Sequence, residues 1–79
     1  MSETAQAYRA RLLHMALQIA EFFRPYGEEE AARAVAAHID QFWTPRMRAE
    51  FLDGPAPDDP LLRRAFALVR PGERGGAIR

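Results

Sequence analysis

The sequence has no cysteine and no lysine among its 79 residues. Without cysteine, disulfide bonds and thiolate metal sites are excluded. A chain this short forms one small domain, so its stability depends on well-formed helices or on a partner. Because lysine is absent, all eleven basic residues are arginine, which pairs with carboxylates and stacks on aromatic rings better than lysine does.

Charge excess and long apolar runs are also missing. The net charge is zero, which argues against a general nucleic-acid binder. No apolar run approaches the roughly 18 residues needed to span a membrane. Residues 1–4 lack the basic start and apolar core of a signal peptide. We therefore expect a cytoplasmic protein that binds neither membrane nor nucleic acid.

The sequence shows no strand alternation and no glycine-rich phosphate loop, and its apolar periodicity is helical. The pattern predicts four helices, at about 5–24, 28–43, 45–52 and 60–69. Only a few residues join the first two, which favours an antiparallel helical hairpin with the two short C-terminal helices packed across it. The predicted fold is all-α, with one domain over residues 1–70 and a disordered tail over 71–79.

Apolar residues three and four apart define the helix faces predicted to be buried. On the first helix the row includes Leu12, Ile19 and Phe22, and on the second it ends in Phe42 and Trp43. The remaining members of the predicted faces are Tyr8, Met15, Ala16, Phe23, Ala32, Val35, Ala36, Ile39, Met47, Phe51, Leu61, Leu62, Ala65, Phe66 and Val69.

Turn and capping residues mark the helix boundaries. Gly27 permits the first turn, because glycine alone adopts positive φ at no steric cost. Thr44-Pro45 and Asp59-Pro60 each combine a good N-cap residue with proline at the first helical position. We therefore expect two new helices to begin at these dipeptides.

Residues able to carry out chemistry are few. His14 falls on a polar stripe and is predicted to be a surface residue. His38 lies at the edge of an apolar face and is predicted to be a boundary residue rather than a metal ligand. Ser2 is the only serine, and Thr44 is explained as a cap. No catalytic, cofactor-binding or metal site is therefore predicted.

The stretch from His38 to Arg48 contains the corner between two helices, and it is the strongest candidate for partner binding. His38, Phe42, Trp43, Arg46, Met47 and Arg48 are the predicted residues. Two interpretations stay open: surface arginines stacked on the indole, or a docking edge, since tryptophan and arginine are enriched in binding hot spots. Insertion of the following short helix into DNA is a third option.

A second candidate surface lies on the first helix. Leu13 and Leu17 are four residues apart and, with Ala20, lie to one side of the predicted buried face. A leucine pair beside a domain that needs additional burial is a candidate partner interface.

Three blocks of the sequence resemble the delta subunit of soluble NAD-dependent formate dehydrogenase, the enzyme that contains molybdenum or tungsten. The blocks are residues 13–23, residues 35–48 with their His-x-x-x-Phe-Trp-x-Pro-Arg-Met pattern, and residues 59–62 with the helix that follows. The family usually has asparagine at the position of Leu17 and often aspartate at that of Thr44. The resemblance extends from about Leu12 to Val69.

The resemblance implies a non-catalytic accessory subunit without a cofactor of its own. In such complexes the alpha subunit carries molybdopterin and iron–sulfur clusters, and the beta and gamma subunits carry FMN, further clusters and the NAD site. The delta subunit is expected to dock on alpha and to support assembly, stability or cofactor insertion during formate oxidation. The alternative is a stand-alone helical regulator that binds another protein, or nucleic acid through Arg46, Arg48, Arg63 and Arg64.

Overall fold

Every regular element in the described part of the chain is a helix. The computed structural model of the protein describes residues 2–71, and in that range no strand is present. The predicted all-α class is confirmed, whereas the predicted tail lies outside the described residues except for Pro71. The helices are α1 (Ser2–Phe23), a 3-10 turn (Arg24–Tyr26), α2 (Glu28–Phe42), α3 (Pro45–Asp53) and α4 (Pro60–Leu68).

The two predicted caps are confirmed. Thr44 Oγ1 accepts a hydrogen bond from the Met47 N–H at 3.1 Å, and Pro45 opens α3. An Asp59 carboxylate oxygen likewise accepts from the Leu62 N–H at 3.0 Å. Each cap satisfies one of the backbone donors that a helix start leaves without a partner.

Gly27 makes the turn between α1 and α2. Its φ of 101° and ψ of 147° lie in a region that is open essentially to glycine alone. An added Cβ would meet no atom within 4 Å, so the constraint is on the backbone and not on space. Beyond the turn, Glu28, Glu29 and Glu30 occupy the first turn of α2, where negative charge suits the helix dipole.

The direction of the chain after the turn follows from its contacts with α1. The ring of Phe23 lies 6.5 Å from that of His38, between centroids. Arg9 Nη2, near the other end of α1, donates to an Asp53 carboxylate at 3.2 Å. The chain from α2 into α3 therefore runs back along α1 toward its N-terminus, while the antiparallel hairpin itself stays a prediction.

The core is built from a few branched side chains and many alanines. Leu12, Val35, Ile39 and Leu62 are its largest fully buried members. Small residues let helix backbones approach closely, and α2 packs most extensively against α4. The six buried alanines are Ala16, Ala20, Ala31, Ala32, Ala36 and Ala65. None of the described helices combines the length and the apolar character that a membrane crossing requires.

Two aromatic residues predicted to be buried are exposed instead. Phe22 is 70% exposed and Phe42 is 65% exposed. At about 100° per residue, Phe22 lies roughly 120° from the middle of the buried row Leu12, Ala16 and Ala20. Phe42 has the correct phase, but it is the last residue of α2 and no further turn covers it. The prediction that these two rings belong to the core is wrong.

The predicted position of Ala20 is also wrong. It was assigned to an outward patch with Leu13 and Leu17, yet it is fully buried in the core. The buried face of α1 is defined by its small residues, which allow close helix contact, and it is therefore rotated away from the largest side chains.

Arg24 connects the turn to α4. One of its guanidinium nitrogens donates to Glu21 at 2.7 Å and to Asp59 at 3.3 Å. The hydrogen bond to Glu21, followed by the charge of Asp59, raises the pKa of Arg24 above its usual value. Because Asp59 also caps α4, this contact links the hairpin turn to the start of the last helix.

Candidate docking surface

A groove opens between the second half of α1 and the end of α2. It has a volume of about 510 Å³. Its lining is mainly apolar. The polar side-chain groups in it are those of Gln18 and His38 and the indole N–H of Trp43. The lining residues are Met15, Gln18, Ile19, Phe22, Phe23, His38 and Trp43. We call this surface, with Phe42 at its rim, the aromatic groove.

The rings of the aromatic groove form a continuous row. Phe22 and Phe23 meet edge-on with centroids 5.0 Å apart. Phe23 reaches the His38 ring, and His38 in turn lies 4.7 Å from Phe42. Tyr26, beside Phe23, is also 62% exposed. The row therefore presents aromatic surface on both walls.

The exposed aromatic area is large for a domain of this size. An aromatic side chain offers about 150–250 Å², and Phe22, Tyr26 and Phe42 are each exposed by roughly two thirds. Their combined exposed area is then roughly 300–500 Å². Patches of about 300–600 Å² are the largest on typical monomers and are often functional.

Trp43, which the sequence left between a core role and a docking role, is only 5% exposed. Its indole meets Phe51 edge-on at 5.4 Å, and Phe51 meets Phe66 at 5.2 Å. The indole thus joins α2, α3 and α4 in the core, while one part of it lines the aromatic groove. Its role in binding stays a prediction.

Arg48 bonds within the fold. Its Nη1 donates to the carbonyl oxygens of Trp43 at 2.9 Å and Asp40 at 3.3 Å, and its Nε donates to that of Arg70 at 3.1 Å. Asp40 completes the arrangement, because its Oδ1 accepts from the Arg70 N–H at 2.8 Å. We call Asp40 and Arg48 the Arg70 clamp. It also satisfies carbonyls that the end of α2 leaves without helical partners.

The other residues predicted at the corner differ in exposure. Arg46 is exposed and has no carboxylate partner among the described residues. Met47 is half-buried and packs against the core. His38 is half-buried between two rings, as a boundary residue should be. Of the predicted set, His38, Phe42 and Trp43 are brought together at the groove, with Arg46 close to it in sequence.

Leu13 and Leu17 do not share one open patch with Ala20. Leu13 is 37% exposed and borders a separate groove of about 350 Å³ between α1 and the end of α3. Leu17 is half-buried against the core. Arg9 lies in that second groove and pairs with Asp53, which connects α1 to α3.

The arginines proposed for nucleic-acid binding do not form a free basic surface. Arg63 lies 3.9 Å from Asp58 and Arg64 lies 3.4 Å from Glu28. Arg48 belongs to the clamp. No observation in the described residues therefore favours the nucleic-acid alternative. Across the same residues, no group of three or more histidine, cysteine or acidic side chains is placed to hold a metal ion.

The sequence contained one signal for the groove that periodicity did not use. Phe22 and Phe23 are adjacent, and adjacent helical residues point about 100° apart. Both rings therefore cannot face one narrow core. The same applies to Phe42 and Trp43 at the end of α2, where the second ring is buried and the first is exposed.

These features define a small helical protein with an apolar, aromatic-lined groove between α1 and the end of α2. The family model of the NADH-dependent formate dehydrogenase delta subunit, FdsD, matches residues 11–68. The chain belongs to this family. The matched region contains α2, α3, α4, most of α1 and the whole aromatic groove. Neither a curated protein nor a solved structure matches the chain.

Proposed function

We propose that this delta subunit is a non-catalytic accessory subunit that docks on the large alpha subunit of formate dehydrogenase. There it supports assembly, stability or cofactor insertion. The observation that carries the proposal is the aromatic groove, which lies inside the region that matches the family. Exposed aromatic side chains of this extent are typical of protein-binding surfaces.

The side chains with well-placed hydrogen bonds stabilise the fold, which supports a structural rather than a catalytic role. Thr44 and Asp59 cap helices, and Asp40 and Arg48 hold the backbone of Arg70. With no cysteine, the chain cannot ligate an iron–sulfur cluster through thiolates. We accordingly assign the molybdopterin, the iron–sulfur clusters and the FMN of the proposed complex to its alpha, beta and gamma subunits.

The proposal is tested by producing the complex with and without this chain. Metal content, formate oxidation activity and thermal stability are measured on both preparations. We expect the complex made without the chain to have less metal, lower activity or lower stability. If all three are unchanged, the accessory role is wrong.

Adding the purified chain back separates two forms of the role. Recovery of stability and activity on addition to the finished complex indicates a subunit that acts by staying bound. Failure to recover, with a metal content that remains low, indicates action during cofactor insertion. A complex assembled with an Arg33→Ala chain serves as control, since that exposed side chain lies outside both grooves.

A further inference from the structure

The aromatic groove has the shape and chemistry to define its occupant more closely, and this inference rests on the proposed function. We propose that the groove receives an α-helix of another subunit of the complex. That helix carries a row of large apolar side chains and a carboxylate at one end of the row. Arg11 and Arg46 pair with the carboxylate.

The walls of the groove favour a helix. One wall is α1 from Met15 to Phe23, and the other is the end of α2 with His38 and Trp43. Met15, Ile19, Phe22 and Phe23 follow the three-and-four spacing of a helix face, which spans about 12 Å at 1.5 Å per residue. A groove between two helices accepts the apolar face of a third, with anchors at i, i+3 or i+4, and i+7.

The apolar lining sets the chemistry of the anchors. Phe22 is exposed on the α1 wall, and Phe42 is exposed where it packs on His38 of the other wall, so both helices offer aromatic surface to an inserted side chain. Together with the neighbouring Tyr26 ring, the groove has roughly 300–500 Å² of open aromatic area, about half of the 800 Å² that each partner buries in a standard interface. The groove therefore supplies the apolar centre of an interface, and polar contacts around it supply the rest.

The charges of the described residues indicate which charge a partner should present at the edge of the groove. Seven acidic side chains already lie within 4 Å of an arginine: Glu21, Glu28, Glu29, Glu50, Asp53, Asp58 and Asp59. By contrast, Arg11 and Arg46 are exposed and have no acidic partner in the described part of the chain. Of the other described acids, Asp40 bonds to the Arg70 backbone. Glu30 lies in the first turn of α2, at the opposite end of that helix from Trp43. The charge left near Trp43 is therefore positive, and a carboxylate complements it.

Arg11 and Arg46 lie toward the same end of the groove. Arg11 precedes Met15 by one turn on the same face of α1, since four residues advance a helix by about 400°. Arg46 follows Trp43 by three residues, and three residues span at most about 11 Å. Because the chain from His38 to Asp53 runs along α1 from Phe23 toward Arg9, the Trp43 end of the groove is also the Met15 end.

The test measures binding of tagged chain to formate dehydrogenase that was assembled without it. Phe22→Ala and Phe42→Ala should each weaken binding about tenfold or more, as central aromatic anchors do. Arg46→Glu should weaken binding and reduce its dependence on salt. Leu68→Ala is the matched control, because Leu68 is 48% exposed but lies outside the groove. It should bind within twofold of the unaltered chain.

A photo-crosslinking residue at position 42 identifies the occupant, with position 68 as its control. We expect cross-links from position 42 to one helical segment of another subunit, with an aspartate or glutamate within about two turns. Phe42→Leu keeps apolar volume and should retain more binding than Phe42→Ala. Thermal melts of each variant confirm that the fold is intact.

The possible failures are distinct. If the unaltered chain binds and both alanine variants bind equally well, the groove is not the site, while the accessory role stands. Cross-links to a second copy of the chain, or to a segment without a carboxylate, also overturn the inference. If the unaltered chain does not bind the complex, this inference is wrong, and the comparison of complexes made with and without the chain decides the proposed function separately.

Discussion

Helix α2 takes part in two surfaces of opposite character: a buried contact with α4 and the exposed aromatic groove. Where α4 packs, Ala65 and Leu62 meet a face of alanine, valine and isoleucine, and these side chains are almost completely buried. At the groove, the larger rings of Phe22 and Phe42 stay open to solvent. The domain thus packs α2 against α4 with small and branched residues, and it leaves the rings of Phe22 and Phe42 exposed at the groove.

The exposed aromatic surface is large enough for its burial to contribute substantially to assembly. At about 25 cal/mol per Å², burying roughly 300–500 Å² contributes about 8–12 kcal/mol as an upper estimate. That is comparable to the whole stability of a typical domain. The isolated chain gains none of it, whereas a subunit gains part of it on assembly, after the cost of association.

Replacing Trp43 should have the largest effect, because its indole lies in the core. Trp43→Ala should lower the free energy of unfolding by about 3–5 kcal/mol. Urea unfolding followed by circular dichroism measures the loss without relying on the missing fluorophore. A loss below about 1 kcal/mol would contradict the assignment of the indole to the core. Trp43 would then resemble the neighbouring Phe42, whose ring is exposed.

Removing the Arg48 side chain should have the next largest effect. Arg48→Ala deletes three hydrogen bonds to carbonyl oxygens and should cost about 1.5–3 kcal/mol. Arg48→Lys should recover only part, since an ammonium lacks the planar fork of donors. Denaturant unfolding gives the energies, and amide exchange at Arg70 reports on the clamp.

The matched control for the clamp is Arg46→Ala. Arg46 lies two residues away, is exposed and has no acidic partner among the described residues. Its replacement should change the stability by no more than about 0.5 kcal/mol. Equal losses for the two arginines would show that the clamp contributes nothing beyond a surface charge.

Replacing Asp59, which caps α4, should have a moderate effect on stability. Asp59→Ala removes the α4 cap and should cost about 1 kcal/mol. Asp59→Asn keeps a capping oxygen and should lose only a few tenths of a kcal/mol, because solvent reaches the pair with Arg24 and weakens it. Thermal unfolding at low and high salt separates the two contributions. A loss as large in the asparagine variant as in the alanine variant would assign the effect to charge.

The smallest effects on folding are expected at the groove. Phe42→Ala should change the free energy of unfolding by about 0.5 kcal/mol, most of it from the lost pairing with His38. Phe22→Ala should behave alike through its contact with Phe23. Denaturant unfolding measures both. A loss of about 3 kcal/mol in either variant would place that ring in the core, and the groove would then resemble the α2–α4 contact.

Local chemistry made the helix starts predictable. The dipeptides Thr44-Pro45 and Asp59-Pro60 contain both the cap and the proline, and each forms the bond expected of it. Gly27 was equally readable, since positive φ is a property of the residue itself. Features that depend on residues adjacent in the chain were therefore correctly predicted.

Long-range features were not predictable in the same way. Helical periodicity gave the phase of α1 but not which side of the stripe α2 would contact, so Ala20 was placed outside and Phe22 inside. The docking role of Arg48 stays a prediction, but its hydrogen bond to the carbonyl of Arg70, 22 residues away, had no signal in the sequence. Backbone groups carry no signature in the sequence, so a side chain that binds them cannot be recognised from spacing.

The Arg70 clamp has a consequence for which residues position 70 can accept. Asp40 and Arg48 bind the N–H and the carbonyl oxygen of Arg70 and make no use of its exposed side chain. Any residue with a backbone N–H therefore suits this position, and proline alone does not. Substitutions at position 70 that keep the backbone N–H therefore leave both hydrogen bonds of the clamp in place.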